Sequence, residues 1–172
     1  MAHDDRSAAA DALAAAAWTA LGEVLDPEIP VVSIVELGIV RDVACGRDEC
    51  VVTLTPTYSG CPAMREIESE IRRALEEQGI GSVEIKTTYS PAWTTDWMAP
   101  AARERLEAYG IAPPGPAESS ELITLRRRPA AVRCPYCKSL NTIEKSEFGS
   151  TACKSIWYCN GCRQPFELFK AI

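Results

Sequence analysis

The sequence predicts an α+β fold: a small mixed sheet with packed helices in the order α-β-β-α-β-α, followed by a small cysteine-clamped β-hairpin domain. Three observations carry this expectation. Helical and strand periodicities alternate as far as Tyr109, and a Pro/Gly/Ser-rich stretch then interrupts them. Beyond it come two Cys-x-x-Cys turns, Cys134-Pro-Tyr-Cys137 and Cys159-Asn-Gly-Cys162, separated by 21 residues.

Residues 7–25 read as the first helix, with Leu13, Ala14, Ala17, Trp18, Leu21, Val24 and Leu25 at helical spacing in an alanine-rich run. Asp26-Pro27 is expected to end it, because proline lacks the amide donor and disfavours helical geometry at the residue before it. Val31 to Leu37 is apolar without a clean period and reads as a loop with a short turn. Ile39 to Ala44 and Cys50 to Thr55 are β-branched runs around Gly-Arg-Asp-Glu, a hairpin signal. The loop from Pro56 to Pro62 then opens an amphipathic helix with Met64, Ile67, Ile71, Ala74 and Leu75 on one face. Gly79 stands where a helix is commonly terminated by glycine. Ser82 to Tyr89 alternates as a third strand, and Ala99 to Tyr109 is a last short helix. The expected boundaries are a first domain at 1–111, a linker at 112–121 and a ribbon at 122–172.

With 47% apolar and 24% charged residues, the chain has a globular composition. No apolar run approaches the ~20 residues needed to span a bilayer, and the acidic N-terminus does not resemble a secretory signal. A cytoplasmic location is therefore expected, where thiols are kept reduced and clustered cysteines serve as metal ligands or reactive groups in preference to disulfides. The one histidine, His3, lies at the terminus, which argues against His-based catalysis. The net charge of −6 hides an asymmetry. Residues 1–121 hold 9 Lys and Arg against 21 Asp and Glu, and residues 122–172 hold 9 against 3. Such a distribution suits docking of the chain on itself, on a second copy to give a homodimer, or on an acidic partner.

A Cys-x-x-Cys turn sets two sulfurs on one side of a tight loop, and two such turns complete a tetrahedral thiolate set for Zn²⁺. Cys134, Cys137, Cys159 and Cys162 are the expected ligands. Four filled positions indicate a structural ion, while an iron site of rubredoxin type or a dithiol pair are the alternatives. Cys153 reads either as a buried thiol under the ribbon or as a further ligand. Cys61, between Gly60 and Pro62, is expected at a helix N-terminus, where amides and the helix dipole lower a thiol pKa. Thr55, Thr57, Tyr58 and Ser59 bring hydroxyls to the same loop. Cys45 and Cys50 flank the hairpin turn and read as functionless.

The segments Asp26-Pro-Glu-Ile-Pro through Val40, Thr53-Leu-Thr-Pro-Thr57, Gly60-Cys-Pro62 and Ser90-Pro-Ala-Trp-Thr-Thr-Asp-Trp-Met98 resemble the metal–sulfur cluster assembly domain of the SufT family. With the cysteine turns, Phe148-Gly-Ser-Thr151, Cys153-Lys154, Pro165-Phe166 and Phe169-Lys170, the whole chain resembles the PaaD (PaaJ) family of phenylacetate degradation, encoded with phenylacetyl-CoA 1,2-epoxidase. The resemblance implies a maturation role rather than an enzyme: assembly or repair of an iron–sulfur or iron centre in the oxygenase or reductase subunits, alongside iron–sulfur assembly machinery. It implies Cys61 as the functional thiol, holding transient iron or a cluster shared with a second copy. Asp26, Glu28 and Thr57 follow as metal-binding or loop-shaping residues. The alternative is a non-catalytic subunit docking on the oxygenase. A nucleic-acid binder using Arg126-Arg127-Arg128, Arg133, Trp157 and Tyr158 is opposed by the acidic first domain. A thiol-dependent catalyst lacks a partner base.

Overall fold

The computed structural model describes residues 4–46, 49–115 and 131–171. His3, the Arg126–Arg128 run and residues 116–121 of the expected linker lie outside them. The chain divides into two compact units, Met1–Trp93 and Thr94–Ile172.

In the first unit, α1 (Asp4–Gly22) runs further toward the N-terminus than expected and stops earlier. Its exit is a tightened turn in which the Val24 amide donates to the Leu21 carbonyl, so Gly22 and not Pro27 marks the end. The next segment takes Val31–Ser33 from the expected loop, leaving its remainder as a turn, and forms a two-stranded ribbon, β1 (Leu25–Asp26) and β2 (Ile29–Ser33). Asp26 makes it possible: its Oδ1 accepts from the amides of Glu28 at 2.8 Å and Ile29 at 2.9 Å, folding the Asp-Pro-Glu-Ile segment into a tight turn. At the far end of β2, Ser33 and Glu36 exchange side-chain and backbone bonds that close the next turn. Trp93 reaches this turn, its indole N–H donating to the Leu37 carbonyl at 3.0 Å.

β3 (Val40–Cys45) and β4 (Glu49–Leu54) form the expected hairpin. Cys45 and Cys50 stand directly opposite each other and are joined as a disulfide, which the expectation of reduced thiols did not foresee. The reason is register: a turn closed by the Gly46 amide on the Glu49 carbonyl makes the next pair outward a close, non-hydrogen-bonded one. β4 pairs in parallel with β5 (Ser82–Thr87), giving the sheet order β3-β4-β5. The crossover is α2 (Met64–Glu77), which buries Ile67, Ile71 and Leu75. Cys50, Val52 and Leu54, at alternate positions of β4, are buried too, as are Ala17 and Leu21 of α1.

The second unit begins with a 3₁₀ turn (Thr95–Trp97) and α3 (Pro100–Tyr109). Ile111–Ala112 forms a short strand, β6, parallel to β9 (Pro165–Phe169), and β8 (Lys154–Cys159) and β7 (Thr142–Ser146) complete the sheet β6-β9-β8-β7. The expected boundary at 111 thus falls inside a unit. Ile111 and Ala112 are apolar and buried when paired with β9, so they serve as a strand and not as linker. Arg103 holds this entry together by donating to the carbonyls of Thr95 and Pro114, both at 2.7 Å.

Two glycines test the packing. Gly79 (φ +80°) follows α2 in open space, whereas a Cβ on Gly110 (φ +95°), after α3, would lie 2.8 Å from the Tyr136 hydroxyl. Gly79→Ala should cost about 1 kcal/mol from the left-handed backbone alone. Gly110→Ala should cost about 2 kcal/mol or more, since Tyr136 must also move. Denaturant titrations of the two variants would compare them, and equal losses would contradict this packing.

Candidate functional site

Each Cys-x-x-Cys turn is built the same way. The Lys138 amide donates to the Cys134 carbonyl, and the Arg163 amide to the Cys159 carbonyl. Both residues take φ of +62°, so each knuckle curls back and aims its two sulfurs inward. The four Sγ atoms lie within 4.8 Å of one another, with Cys134 to Cys162 at 3.7 Å and Cys137 to Cys159 at 3.5 Å. Tetrahedral Zn–S bonds of ~2.3 Å require sulfur separations of ~3.8 Å, so the donor set fits that ion. Cys134 and Cys159 are buried with Ala112, Trp157 and Phe166 in one small apolar core, Cys162 packs against it, and Cys137 faces solvent.

The thiols are inequivalent without an ion. The Cys162 amide foremost, helped by the Cys137 thiol and the Gly161 amide, brings Cys159 down to about 7 despite desolvation. Desolvation pushes Cys162 up to about 12. A metal must therefore displace protons, and its hold weakens as pH falls. Cys153 lies at the opposite end of β8, outside this group, with its sulfur 3.0 Å from the Thr151 hydroxyl. Elemental analysis of the Cys153→Ser variant should thus still find one zinc per chain. Cys134→Ser should lose it together with the structure of the second unit, because a core this small depends on the ion.

Cys61 occupies different surroundings. It sits in the loop between β4 and α2, after Gly60 at φ +82°, and is half-buried. The helix begins at Met64 with Ala63 as its cap, so the sulfur precedes the first turn instead of capping it. The expected lowering of its pKa is reversed: the thiol is raised above its ordinary value. Burial is the main cause, and the carboxylates of Glu28 and Asp26 add to it. The Ala63 amide and a hydrogen bond from the Tyr58 side chain oppose this without overcoming it. The β1–β2 turn and the Cys61 loop are thus close enough to interact electrostatically. Thr57 is half-buried in that loop. Thr55 at its base is buried, and its hydroxyl has no hydrogen-bond partner among the described residues. Sequence reading placed Tyr58 only as one hydroxyl among several; its specific bond to sulfur depends on the loop's fold.

Among the described residues, the four ribbon cysteines are the one group of three or more acidic, His or Cys donors close enough to share an ion. Cys61, Asp26 and Glu28 do not form a second. No helix among these residues is long and apolar enough to cross a membrane. A raised pKa makes Cys61 a slow nucleophile at neutral pH. Its alkylation should accelerate only above the pH that activates an ordinary cysteine, and Glu28→Gln should move that profile down. Iodoacetamide rates followed by mass spectrometry would check both, and an acid-shifted wild-type profile would refute the raised value.

Comparison with known proteins divides along the same line. Residues 14–87 match the family profile of iron-sulfur cluster assembly proteins, and residues 118–170 match the PaaD zinc beta ribbon domain. A protein of Escherichia coli (strain K12), provisionally designated as one of the subunits of 1,2-phenylacetyl-CoA epoxidase, is 47% identical over 90% of this chain and 91% of its own length. An Fe-S protein maturation auxiliary factor of Porphyromonas gingivalis is 39% identical over 48% of this chain and 79% of its own. The counterpart YitW of Bacillus subtilis is 37% identical over 49% and 83%. A crystal structure of DUF59, a domain of unknown function from Bacillus anthracis, superposes with a TM-score of 0.55 at 29% identity, covering 58% of this chain and 96% of that one. The chain belongs to the PaaD family, in which an iron-sulfur cluster assembly domain is joined to a zinc beta ribbon.

Proposed function

We propose that this protein is a cytoplasmic maturation factor, not an enzyme, for the iron–sulfur or iron centre of a phenylacetyl-CoA 1,2-epoxidase system. The observation that supports it most is the pairing of a half-buried thiol, Cys61, with the carboxylates of Asp26 and Glu28 in a domain shared with Fe-S maturation factors. Iron is the cargo in this reading, and the ribbon's zinc is structural.

The electrostatics suit a transient hold. At rest the thiol is protonated, because burial foremost, and then the carboxylates of Glu28 and Asp26, disfavour a negative charge on it. An arriving Fe²⁺ reverses that balance: its charge is welcome near the carboxylates, the thiol gives its proton to solvent, and sulfur bonds to iron. Tyr58 and the Ala63 amide stabilise the thiolate that forms. One sulfur and two carboxylates that are not preassembled around an ion hold it weakly, which favours release to a client with a complete ligand set. The remaining donors come from the client or from iron–sulfur assembly machinery.

The second reading, a non-catalytic structural or regulatory subunit docked on the oxygenase, draws on the designation of the Escherichia coli relative as a subunit. The two separate experimentally. Oxygenase and reductase purified free of this chain, from cells that made it, should be active if it matures them. From cells carrying only Cys61→Ala they should be inactive and deficient in iron. Anaerobic reconstitution should load iron onto the wild-type protein and several-fold less onto Cys61→Ala. Equal iron on both would remove Cys61 as the carrier, and an oxygenase active only with the chain present at stoichiometric ratio would establish the subunit reading.

A further inference from the structure

The first sheet has two edges, and they are not alike. β3 carries an irregularity in register between Val40 and Asp42, the kind of bulge that blunts an edge against further pairing. β5 is paired to β4 without interruption over Ser82–Thr87, and no strand among the described residues pairs with its other side. Its side chains are all exposed or half-exposed, including the apolar Val83 and Ile85.

Which backbone groups face outward on β5 follows from the register. Leu54 is paired with Thr87, and the Leu54 carbonyl accepts from the Thr88 amide at 2.8 Å. In a parallel ladder a residue bonds to the two positions flanking its partner, so the even-numbered residues of β5 turn their amides and carbonyls toward β4. The groups left for another strand belong to Val83, Ile85 and Thr87. Between them lie Glu84 and Lys86, both exposed, paired to each other along the strand at 3.6 Å.

We infer that β5 pairs antiparallel with β5 of a second copy of this chain, about a two-fold axis at Ile85. This register sets Ile85 opposite Ile85, and Val83 opposite Thr87 on both sides of the axis. All three residues with outward groups then fall in hydrogen-bonded pairs. Glu84 of each copy comes opposite Lys86 of the other, in the closer non-hydrogen-bonded positions where opposite charges attract across a sheet. An axis at Glu84 or Lys86 would also align outward groups, but it would set Glu84 against Glu84 or Lys86 against Lys86 and leave one of the three outward residues of β5 without a partner inside the strand. Charge and the number of paired outward groups thus select one register among those the backbone allows, and the occupant is self-complementary, as a two-fold interface requires. Two three-stranded sheets become one continuous sheet.

This interface deepens the assembly reading without sharing the cargo. The Cys61 loops leave the C-terminal ends of the β4 strands, and antiparallel pairing sends those ends in opposite directions. Each copy therefore presents its thiol at its own end of the joined sheet.

The test is sedimentation of the full zinc-loaded chain between about 1 and 200 µM, with circular dichroism to verify folding. The wild type should show a concentration-dependent dimer. Lys86→Glu and Glu84→Lys should each weaken it about tenfold or more, because both cross-strand pairs become repulsive. The double exchange Glu84→Lys with Lys86→Glu should restore it. Thr87→Pro removes an outward amide without touching the β4 ladder, and should weaken the dimer in a folded chain. A wild type monomeric throughout, or a dimer indifferent to both single exchanges, would overturn the pairing. It is distinct from the cargo reading, because Cys61→Ala should dimerise normally.

Discussion

Parallel strands cannot be joined by a tight turn, and the first unit is arranged around that constraint. β4 is antiparallel to β3 but parallel to β5, so the chain must leave β4, cross the sheet as α2 and return. Ile67, Ile71 and Leu75 cover the inner face during the crossing, which makes the return favourable. The same crossing obliges the chain to place a loop at the C-terminal end of β4, and Cys61 lies in it. The Asp26 turn carries two carboxylates near enough to act on the sulfur electrostatically. The site is a product of topology before it is a product of chemistry.

The second unit solves a different problem. Its apolar core consists of a few side chains around Trp157 and Phe166, too little to order a sheet unaided. Cys134, Cys159 and Ala112 of β6 belong to that core, and Cys162 packs against it. Lys138 of the first knuckle reaches Glu107 of α3 at 2.7 Å, and Tyr136 packs over Gly110. A buried Lys154 paired with Glu167 at 3.2 Å fastens the far end of the sheet, where Glu167 also accepts from the Ser150 amide at 2.7 Å. Lys154 and Cys159 stand at opposite ends of β8, so this ion pair and the cysteine cluster hold the strand at its two ends.

Two kinds of thiol site thus share one chain. The ribbon sulfurs converge on a point and leave no open ligand position, which suits permanence. Cys61 is half-buried, its pKa raised by that burial first and by the carboxylates of Glu28 and Asp26 after it. The contrast rests on geometry and sign of charge, with the same residue type in both places.

Features that depend on near neighbours are legible in the amino-acid order. Helical spacing in α2, the glycine after it, the β3–β4 hairpin and the Cys-x-x-Cys knuckles are local, because their hydrogen bonds and side-chain contacts span a few residues. Features that join distant groups emerge only in the folded chain. The strand character of Ile111–Ala112 exists only against β9, and the ribbon β1–β2 only once Asp26 folds its turn. The Cys45–Cys50 bond depends on hairpin register, which composition and compartment do not specify. The sign of the Cys61 shift is the plainest case. Local sequence offers amides that lower it, whereas burial and the carboxylates of Asp26 and Glu28, remote in the chain, raise it. Electrostatic energy follows distance in space, and that distance is set only when the chain folds.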